Sequence, residues 1–392
     1  MKCAINFVRY LLIYKTYTDM LNVVHYSFVP NAASTNRLIS YLVNVPKEIK
    51  CRVFFIMPDA NGSIWQECPD NIEVIYCWRK YPARFKVMRY ITYIRSLSYI
   101  RKQLREGDVV YSYNMPPFLN KIWKTGVRYF GERTEHPEES HFPSALLRTT
   151  LGQHIILAKK MDGLFVISTA LRDYYVKNGV KKDKVHIINM TVDSLRFKNI
   201  NKQEVKREYI AYCGSATNNK DGVDKLIKSF AFVHQANPSI YLYIIGPAPL
   251  NKEGLENIQL AHSLGVLNRI IFTGTVNSYE IPQLLKNASV LLLNRPDTLQ
   301  TQCGFPTKLG EYLLTRNPVV ITKVGDIPRF LEDGKTALLA SPNDNKEFAE
   351  KIIWSLNNTD EAKLVGRNGA DVALKYFNAK IETSKMLKIM MK

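Results

Sequence analysis

The 392-residue chain has no apolar run approaching the ~18 residues that would suggest a membrane span. Its six cysteines (Cys3, Cys51, Cys68, Cys77, Cys213, Cys303) form no CxxC and no regular spacing. That argues against a disulfide framework or a zinc site and for a reducing compartment. No GxGxxG follows any strand-like run, which disfavours a nicotinamide-dependent oxidoreductase. Nothing resembles an RNP motif, a zinc finger or a basic zipper. The first twenty residues resemble a signal peptide only faintly, because Arg9 and Lys15 interrupt the apolar stretch and no small-residue cleavage site follows. The expected location is cytoplasmic. Acidic residues are scarce: 35 Asp+Glu stand against 54 Lys+Arg, a net charge of +19. Residues 1–200 carry 30 of those basic and 16 of those acidic side chains. Such a half favours something anionic, whether nucleic acid, an acidic membrane surface or a phosphorylated substrate.

What is present is a globular composition, 46% hydrophobic and 23% charged, which excludes a disordered chain. At roughly 150 residues per domain, two domains are expected. Short Val/Ile/Tyr/Phe-rich runs alternate with longer mixed segments, the pattern of α/β layers. In the first half, LNVVHYS (21–27), CRVFFIM (51–57), NIEVIYC (71–77), DVVYSY (108–113), VRYFGE (127–132), GLFVIS (163–168) and VHIINM (185–190) read as strands. In the second, YIAYCG (209–214), IYLYIIG (240–246), RIIFTG (269–274), SVLLLN (289–294), PVVIT (318–322) and TALLA (336–340) do. The polar stretch 197–208 reads as the linker. The expectation is two doubly wound, Rossmann-like α/β domains facing each other across a cleft, at 1–200 (with 1–20 an extension) and 201–392. The last helix is a candidate for packing back on the first domain. Ligands of such sheets sit beyond the carboxyl ends of the strands.

The stretch LLLNRPDTLQTQCGFPTKLGEYLL (291–314) carries the most chemistry. A buried strand ends at Asn294-Arg295, and Gly304-Phe305-Pro306-Thr307 leads into a helix. Pro306 fixes φ at the helix start and Thr307 can cap it, so the N–H groups form an anion site suited to a diphosphate. Lys308 adds a full charge, and Glu311, one turn on, can accept hydrogen bonds from a ribose diol. In YCGSATNNKDGVDKL (212–226) a strand ends at Gly214, and a small-residue loop carries Lys220 before Asp221-Gly222 opens the next helix. One Lys behind a strand suits a second phosphate contact, at the same sheet edge as the first.

With these motifs the chain resembles the retaining glycosyltransferases of family 4 (glycosyl transferases group 1), which have the GT-B fold of two Rossmann-like domains. The resemblance runs from about Asn22 and is strongest over 163–340. It includes DGLFVISTALRDYYVKNGVKKDKVHIINMTVDSLRF, with Val192-Asp193 and Phe197 in the expected places, then the Lys220 loop, IYLYIIG, IIFTGTV, GFPTKLGEY and NPVVIT in the family's order. It implies a nucleotide-diphosphate sugar as donor substrate, with no cofactor and no metal. The donor diphosphate would lie between Lys220 and the Ser215, Thr307 and Lys308 region, the ribose at Glu311, and the base near Thr275 and Val276. Two positions depart from the pattern. Ser215 replaces the usual Arg, with Lys308 or Arg295 placed to compensate. Cys303 replaces the Glu eight residues before the ribose Glu. The family also places a His in a loop like YFGERTEHPEES (129–140), so His136 is expected to bond the sugar or orient the acceptor hydroxyl. Glu135 or Glu132 would assist proton transfer. In VPNAASTNR (29–37), Ala32, Ala33 and Ser34 stand where glycines are common. His25 reads as a packed core residue.

Residues 79–105, bounded by Arg79 and Arg105, hold nine Lys/Arg and no acid, interleaved with Tyr, Phe and Ile. That suits docking on an anionic leaflet, although apolar residues fall on most helical faces and part of the segment must be core. The reading is therefore a metal-independent retaining glycosyltransferase of hexosyltransferase type. It would move a sugar to a glycan or lipid-linked glycan acceptor in surface polysaccharide synthesis, in the cytoplasm or peripherally on the inner face of the membrane. A GT-B epimerase or phosphorylase is the alternative. A nucleic-acid-binding protein is remote, resting on charge alone.

Overall fold

The computed structural model describes residues 20–30, 32–59, 61–78, 86–139, 151–247 and 252–392. The chain divides into two units: residues 1–188 together with 379–392, and residues 189–378. The division falls at 188/189, not at the 200/201 read from polarity. The stretch 197–208 lies inside the second unit, where Gln203 N donates to Asn287 Oδ1 (2.9 Å). Its polarity marks an exposed segment rather than a linker.

The strands of the first unit are β1 (Leu21–His25), β2 (Cys51–Phe55), β3 (Ile72–Tyr76), β4 (Val109–Tyr113), β5 (Arg128–Arg133), β6 (Gly163–Val166) and β7 (Val185–Ile187). They form one sheet in the order β3-β2-β1-β4-β5-β6-β7, with every pairing parallel. The second unit contains β8 (Tyr209–Cys213), β9 (Tyr241–Ile245), β10 (Ile270–Phe272), β11 (Leu291–Leu293), β12 (Val319–Thr322) and β13 (Leu338–Ala340). Its sheet, also all parallel, runs β10-β9-β8-β11-β12-β13. In each unit the first strand lies between the second and the fourth, the doubly wound order whose switch point is a ligand site. β1, β4, β6, β11 and β12 are buried at every position, as parallel strands covered on both faces must be. All thirteen expected runs are strands, several a residue or two shorter at their ends.

Helices shield these sheets by single faces. Helix Val223–Ala236 buries Val223, Leu226, Ile227, Phe230 and Val233, a spacing of three and four residues that makes one apolar stripe. The terminal helix Ala379–Met390 belongs to the first unit. Its Met386, Leu387 and Met390 share a core with Val23, Val53, Phe55 and Phe165. Truncating Leu387 to Ala would cost about 2–5 kcal/mol. Of the basic segment, residues 79–85 lie outside the described ones. The remainder forms helix Lys86–Gln103, which buries Thr92, Tyr93, Ser96, Leu97 and Ile100 on one face. The apolar residues that scatter around the helix in sequence split between this face and an exposed one. His25 is a core residue: its ring stacks on Tyr113 at 5.5 Å and meets Phe55 edge-on at 5.9 Å. Burial lowers its pKa to about 4.

Candidate functional site

The carboxyl ends of β8 and β11 flank the switch point of the second sheet, and the residues that follow them are the ones read from sequence. Gly214 ends β8 under tight constraint, since a Cβ there would run into Lys308 Nζ and Tyr212 Oη. Gly222 adopts φ +64°, and a Cβ on it would collide with the carbonyl oxygen of Asn294. Only glycine meets both demands, so the Lys220 turn lies directly against the end of β11. Lys220 itself sits in a one-turn helix, Asn218–Asp221, rather than in an open loop. Its carbonyl accepts from Arg295 Nε at 3.3 Å. Arg295 is buried, and its own carbonyl accepts from Thr322 Oγ1 at 2.7 Å. Asn294 Nδ2 donates to Ser229 Oγ at 3.0 Å.

Helix Thr307–Leu314 starts at the same edge. Its N-cap is Pro306, extended at φ −72° and ψ 108°, with no side-chain cap. Thr307 is therefore the first helical residue and not the cap expected of it. Proline supplies no acceptor, and the first-turn N–H groups stay uncapped by side chains, which strengthens the case for an anion site. Tyr312 fastens the helix to β8, accepting from Cys213 N at 2.6 Å.

Lys308 is not an isolated cation. Its Nζ donates to Asp221 Oδ2 at 2.8 Å and to Tyr212 Oη at 3.1 Å, and Tyr212 Oη donates to the same Asp221 oxygen at 2.8 Å. Burial holds the Lys308 ammonium below the ordinary lysine value, with Asp221 opposing it. Burial alone would raise the Asp221 carboxyl, but Lys308, Tyr212 and Arg295 outweigh it and hold it below the usual carboxylate range. Glu311 pairs with Arg196 Nη1, and Arg196 Nη2 also donates to Ser278 O at 2.7 Å. Burial, reinforced by Asp193, raises the Glu311 carboxyl against the pull of Arg196 and Lys308.

Arg196 thus ties Glu311 to the loop after β10 that carries Thr275 and Val276. Sequence reasoning missed Arg196, Asp221 and Tyr212. Arg196 stood inside the quoted SLRF stretch, and Asp221 adjoined Lys220. Two members of the expected set play other parts. Phe305 is buried and packs on Phe330 at 5.6 Å and Phe377 at 5.4 Å, so it anchors the loop as core. Cys303 is buried at the end of helix Leu299–Cys303, with its thiol pushed up to about 11, and stays a neutral thiol. Gly304 follows it as the helix C-cap, and Ser215 is exposed beside Gly214.

In the first unit, His136 follows β5. It is buried, its ring 4.3 Å edge-on from Tyr174, and Nδ1 accepts from Glu138 N at 3.4 Å. Glu135 is half-buried beside it. Glu132 cannot serve as the proton carrier expected of it. It has no exposed surface and accepts from Arg37 Nη2 (2.7 Å), Arg37 Nε (2.9 Å), Tyr41 Oη (3.2 Å) and Tyr111 Oη. Such a carboxylate is a structural counter-ion. Among the described residues, no three His, Cys, Asp or Glu side chains converge as a metal site.

Residues 207–358 match the family model "Glycosyl transferases group 1". An uncharacterised glycosyltransferase of Methanocaldococcus jannaschii is 25% identical over 249 residues, spanning 59% of this chain and 67% of that protein. The mannosylfructose-phosphate synthase of Agrobacterium fabrum is 21% identical over 241 residues, spanning 57% and 52%. The chain therefore spans between about half and two thirds of the length of these relatives. Among solved structures, Anabaena HepE in complex with UDP-glucose superposes with a TM-score of 0.72 at 16% identity, over 95% of this chain and 99% of that one. WaaG, a glycosyltransferase involved in lipopolysaccharide biosynthesis, gives 0.67 at 14% identity, over 95% and 99%. Residues 207–358 thus match a glycosyl transferases group 1 domain, and the chain has the GT-B fold of these structural neighbours.

Proposed function

We propose that the protein is a retaining, metal-independent glycosyltransferase that takes a sugar from a nucleoside-diphosphate sugar and passes it to a glycan or lipid-linked glycan acceptor. One observation carries the reading: Gly214, the Lys220 turn, the uncapped start of helix Thr307–Leu314 and Glu311 meet at one switch point. Breaking a glycosyl–phosphate bond leaves positive charge on the sugar carbon and negative charge on the departing diphosphate. Amides, a helix dipole and lysines aimed at the leaving group stabilise charge where it develops. The positive charge that a divalent ion would otherwise bring falls here chiefly to Lys220 and Arg295, because Lys308 is already matched by Asp221. Glu311 is suited to accept from a ribose diol, and the Thr275–Val276 loop, linked to it through Arg196, to border the base. His136 would orient the acceptor hydroxyl. HepE, whose structure was solved with UDP-glucose, supports a uridine or other nucleoside-diphosphate donor.

A role in surface polysaccharide synthesis, at the inner face of the membrane, rests on helix Lys86–Gln103. No described helix is long and apolar enough to cross a membrane. The outward face of this one combines Arg95, Arg101 and Lys102 with exposed Val87, Met88 and Tyr99. If three cations reach an anionic leaflet, the gain is about 3 kcal/mol, roughly a hundredfold. Co-sedimentation with anionic and neutral liposomes, at low and high salt, tests it.

The enzymatic reading is tested by incubating the protein with UDP- and GDP-sugars, with and without EDTA, and measuring nucleoside diphosphate release. Release that survives EDTA is expected. Absence of both release and any thermal shift by UDP or GDP refutes the reading, and loss of release in EDTA refutes its metal-free part. An epimerase would interconvert sugars without releasing diphosphate.

A further inference from the structure

A cavity of about 430 Å³ opens in the first unit, at the carboxyl ends of β2 and β3. Its walls are aromatic and apolar, from Phe28, Ile64, Tyr76 and Trp78, and its polar members are Asp59 and Ser63. The walls are fixed. Tyr76 stacks on Phe55 at 5.3 Å, Phe28 meets Phe55 edge-on at 5.6 Å, and Tyr76 Oη accepts from Trp65 N at 2.6 Å. The half-buried Trp78 ring is held by its own N–H, which donates to Ser96 Oγ at 2.8 Å. Asp59 is 8% exposed. Its Oδ1 accepts from Ser63 N at 2.6 Å and its Oδ2 from Ser63 Oγ at 2.8 Å. Among the described residues no cation lines the cavity, and no described ion pair involves Asp59. Each carboxylate oxygen, with one donor, keeps room for another.

The lining selects the ligand. A carboxylate with no counter-ion among the described residues repels phosphates and uronates, and desolvating it against a hydrocarbon chain would be costly. A ring with hydroxyls on its edge and C–H groups on its faces suits both parts, because the hydroxyls donate to Asp59 and the apolar faces lie on Trp78 and Tyr76. We propose that this cavity is a subsite for a neutral sugar residue of the acceptor, held by Asp59 and the Trp78–Tyr76 wall. Its part in transfer rests on the glycosyltransferase reading, whereas sugar binding there does not.

The test is saturation-transfer NMR on the full chain without nucleotide. The probes are the methyl glycosides of glucose, galactose, mannose and N-acetylglucosamine, with glucuronate, glucose 6-phosphate and decanoate for comparison. At least one neutral glycoside should receive saturation, with the anions at least tenfold weaker. Asp59→Asn should weaken that binding at least tenfold. Ile64→Trp, at a rim position 58% exposed, should block it without touching the core. UDP binding, which belongs to the second unit, should not change in either variant. Silence from all four glycosides, binding that survives Ile64→Trp, or preference for decanoate or the phosphate overturns the proposal. If glycosides bind but no nucleotide sugar is ever cleaved, the subsite stands and the transferase reading falls.

Discussion

Replacing Asp221 by Asn and Lys308 by Met should move the affinity for a nucleoside diphosphate in opposite directions. The two side chains meet at 2.8 Å, with 8% and 19% of their surfaces exposed. At an effective dielectric of about 20, two unit charges at that separation attract by about 6 kcal/mol. Much of that is offset by desolvation of the two charges, the cause that also lowers the Lys308 ammonium. Breaking a buried pair by removing one partner costs about 3–5 kcal/mol. Asparagine keeps an acceptor for Tyr212 and Lys308 retains some water, so Asp221→Asn should fall to about 2–3 kcal/mol of lost stability. The pair as it stands offers a diphosphate almost no net charge. Asp221→Asn leaves an uncompensated ammonium beside the helix start, and Lys308→Met an uncompensated carboxylate.

Each change should be worth about 1 kcal/mol for an anion nearby, roughly fivefold in affinity. UDP should bind tighter to Asp221→Asn and weaker to Lys308→Met. Isothermal titration calorimetry near neutral pH, with urea unfolding of both variants and the double variant, measures both effects. If both variants weaken UDP equally, the pair is only a structural clamp and the charge reasoning fails. The pair also has a pH signature. Because the folded Asp221 carboxyl lies below its unfolded value, its stabilisation is present above the ordinary carboxylate range. That stabilisation is lost as pH falls through the depressed value.

Lys220→Ala should slow transfer by about 10–100-fold, the worth of one charge-assisted hydrogen bond to the leaving group; an unchanged kcat/KM would remove Lys220 from the site. Glu311→Gln should weaken nucleotide binding without destabilising the fold near neutral pH. The folded Glu311 pKa is raised, so its stabilising contribution is fully present below the ordinary carboxylate value and is lost as pH rises through the raised one. Calorimetry and urea unfolding read the two effects separately. His25 falls from 6.5 to about 4 on folding, so the unfolded chain takes up its proton first. As pH drops from about 6.5 to 4, stability should decline by roughly 3 kcal/mol from this group. A His25→Phe variant should show a visibly shallower acid limb in urea titrations. Gly222→Ala, forced to hold φ +64° against Asn294 O, should cost about 1–3 kcal/mol; a neutral result in urea unfolding would mean the turn can relax.

What the sequence makes legible is local. β11 and β12 read as strands because LLL and VVIT are too short and too apolar for anything but covered parallel strands. The helix start reads from Pro306 and the residues just after it, because a proline at a helix start is informative by itself. Thr307 misled because a hydroxyl beside a proline resembles a cap, while the backbone places the cap one position earlier, at Pro306 itself. The pairings were hidden for a different reason. Asp221 lies 87 positions before Lys308, Arg196 115 before Glu311, and Arg37 95 before Glu132. Each pair closes only when the strand order sets their elements side by side. A charge in a motif therefore fixes where a cation stands, not how much of it a ligand feels. At Lys308 the sequence motif suggests a lysine free to meet a diphosphate. The fold shows the same lysine already matched by Asp221 and Tyr212. The net attraction at this switch point thus falls more heavily on Lys220 and the uncapped amides than the GFPTK motif alone suggests.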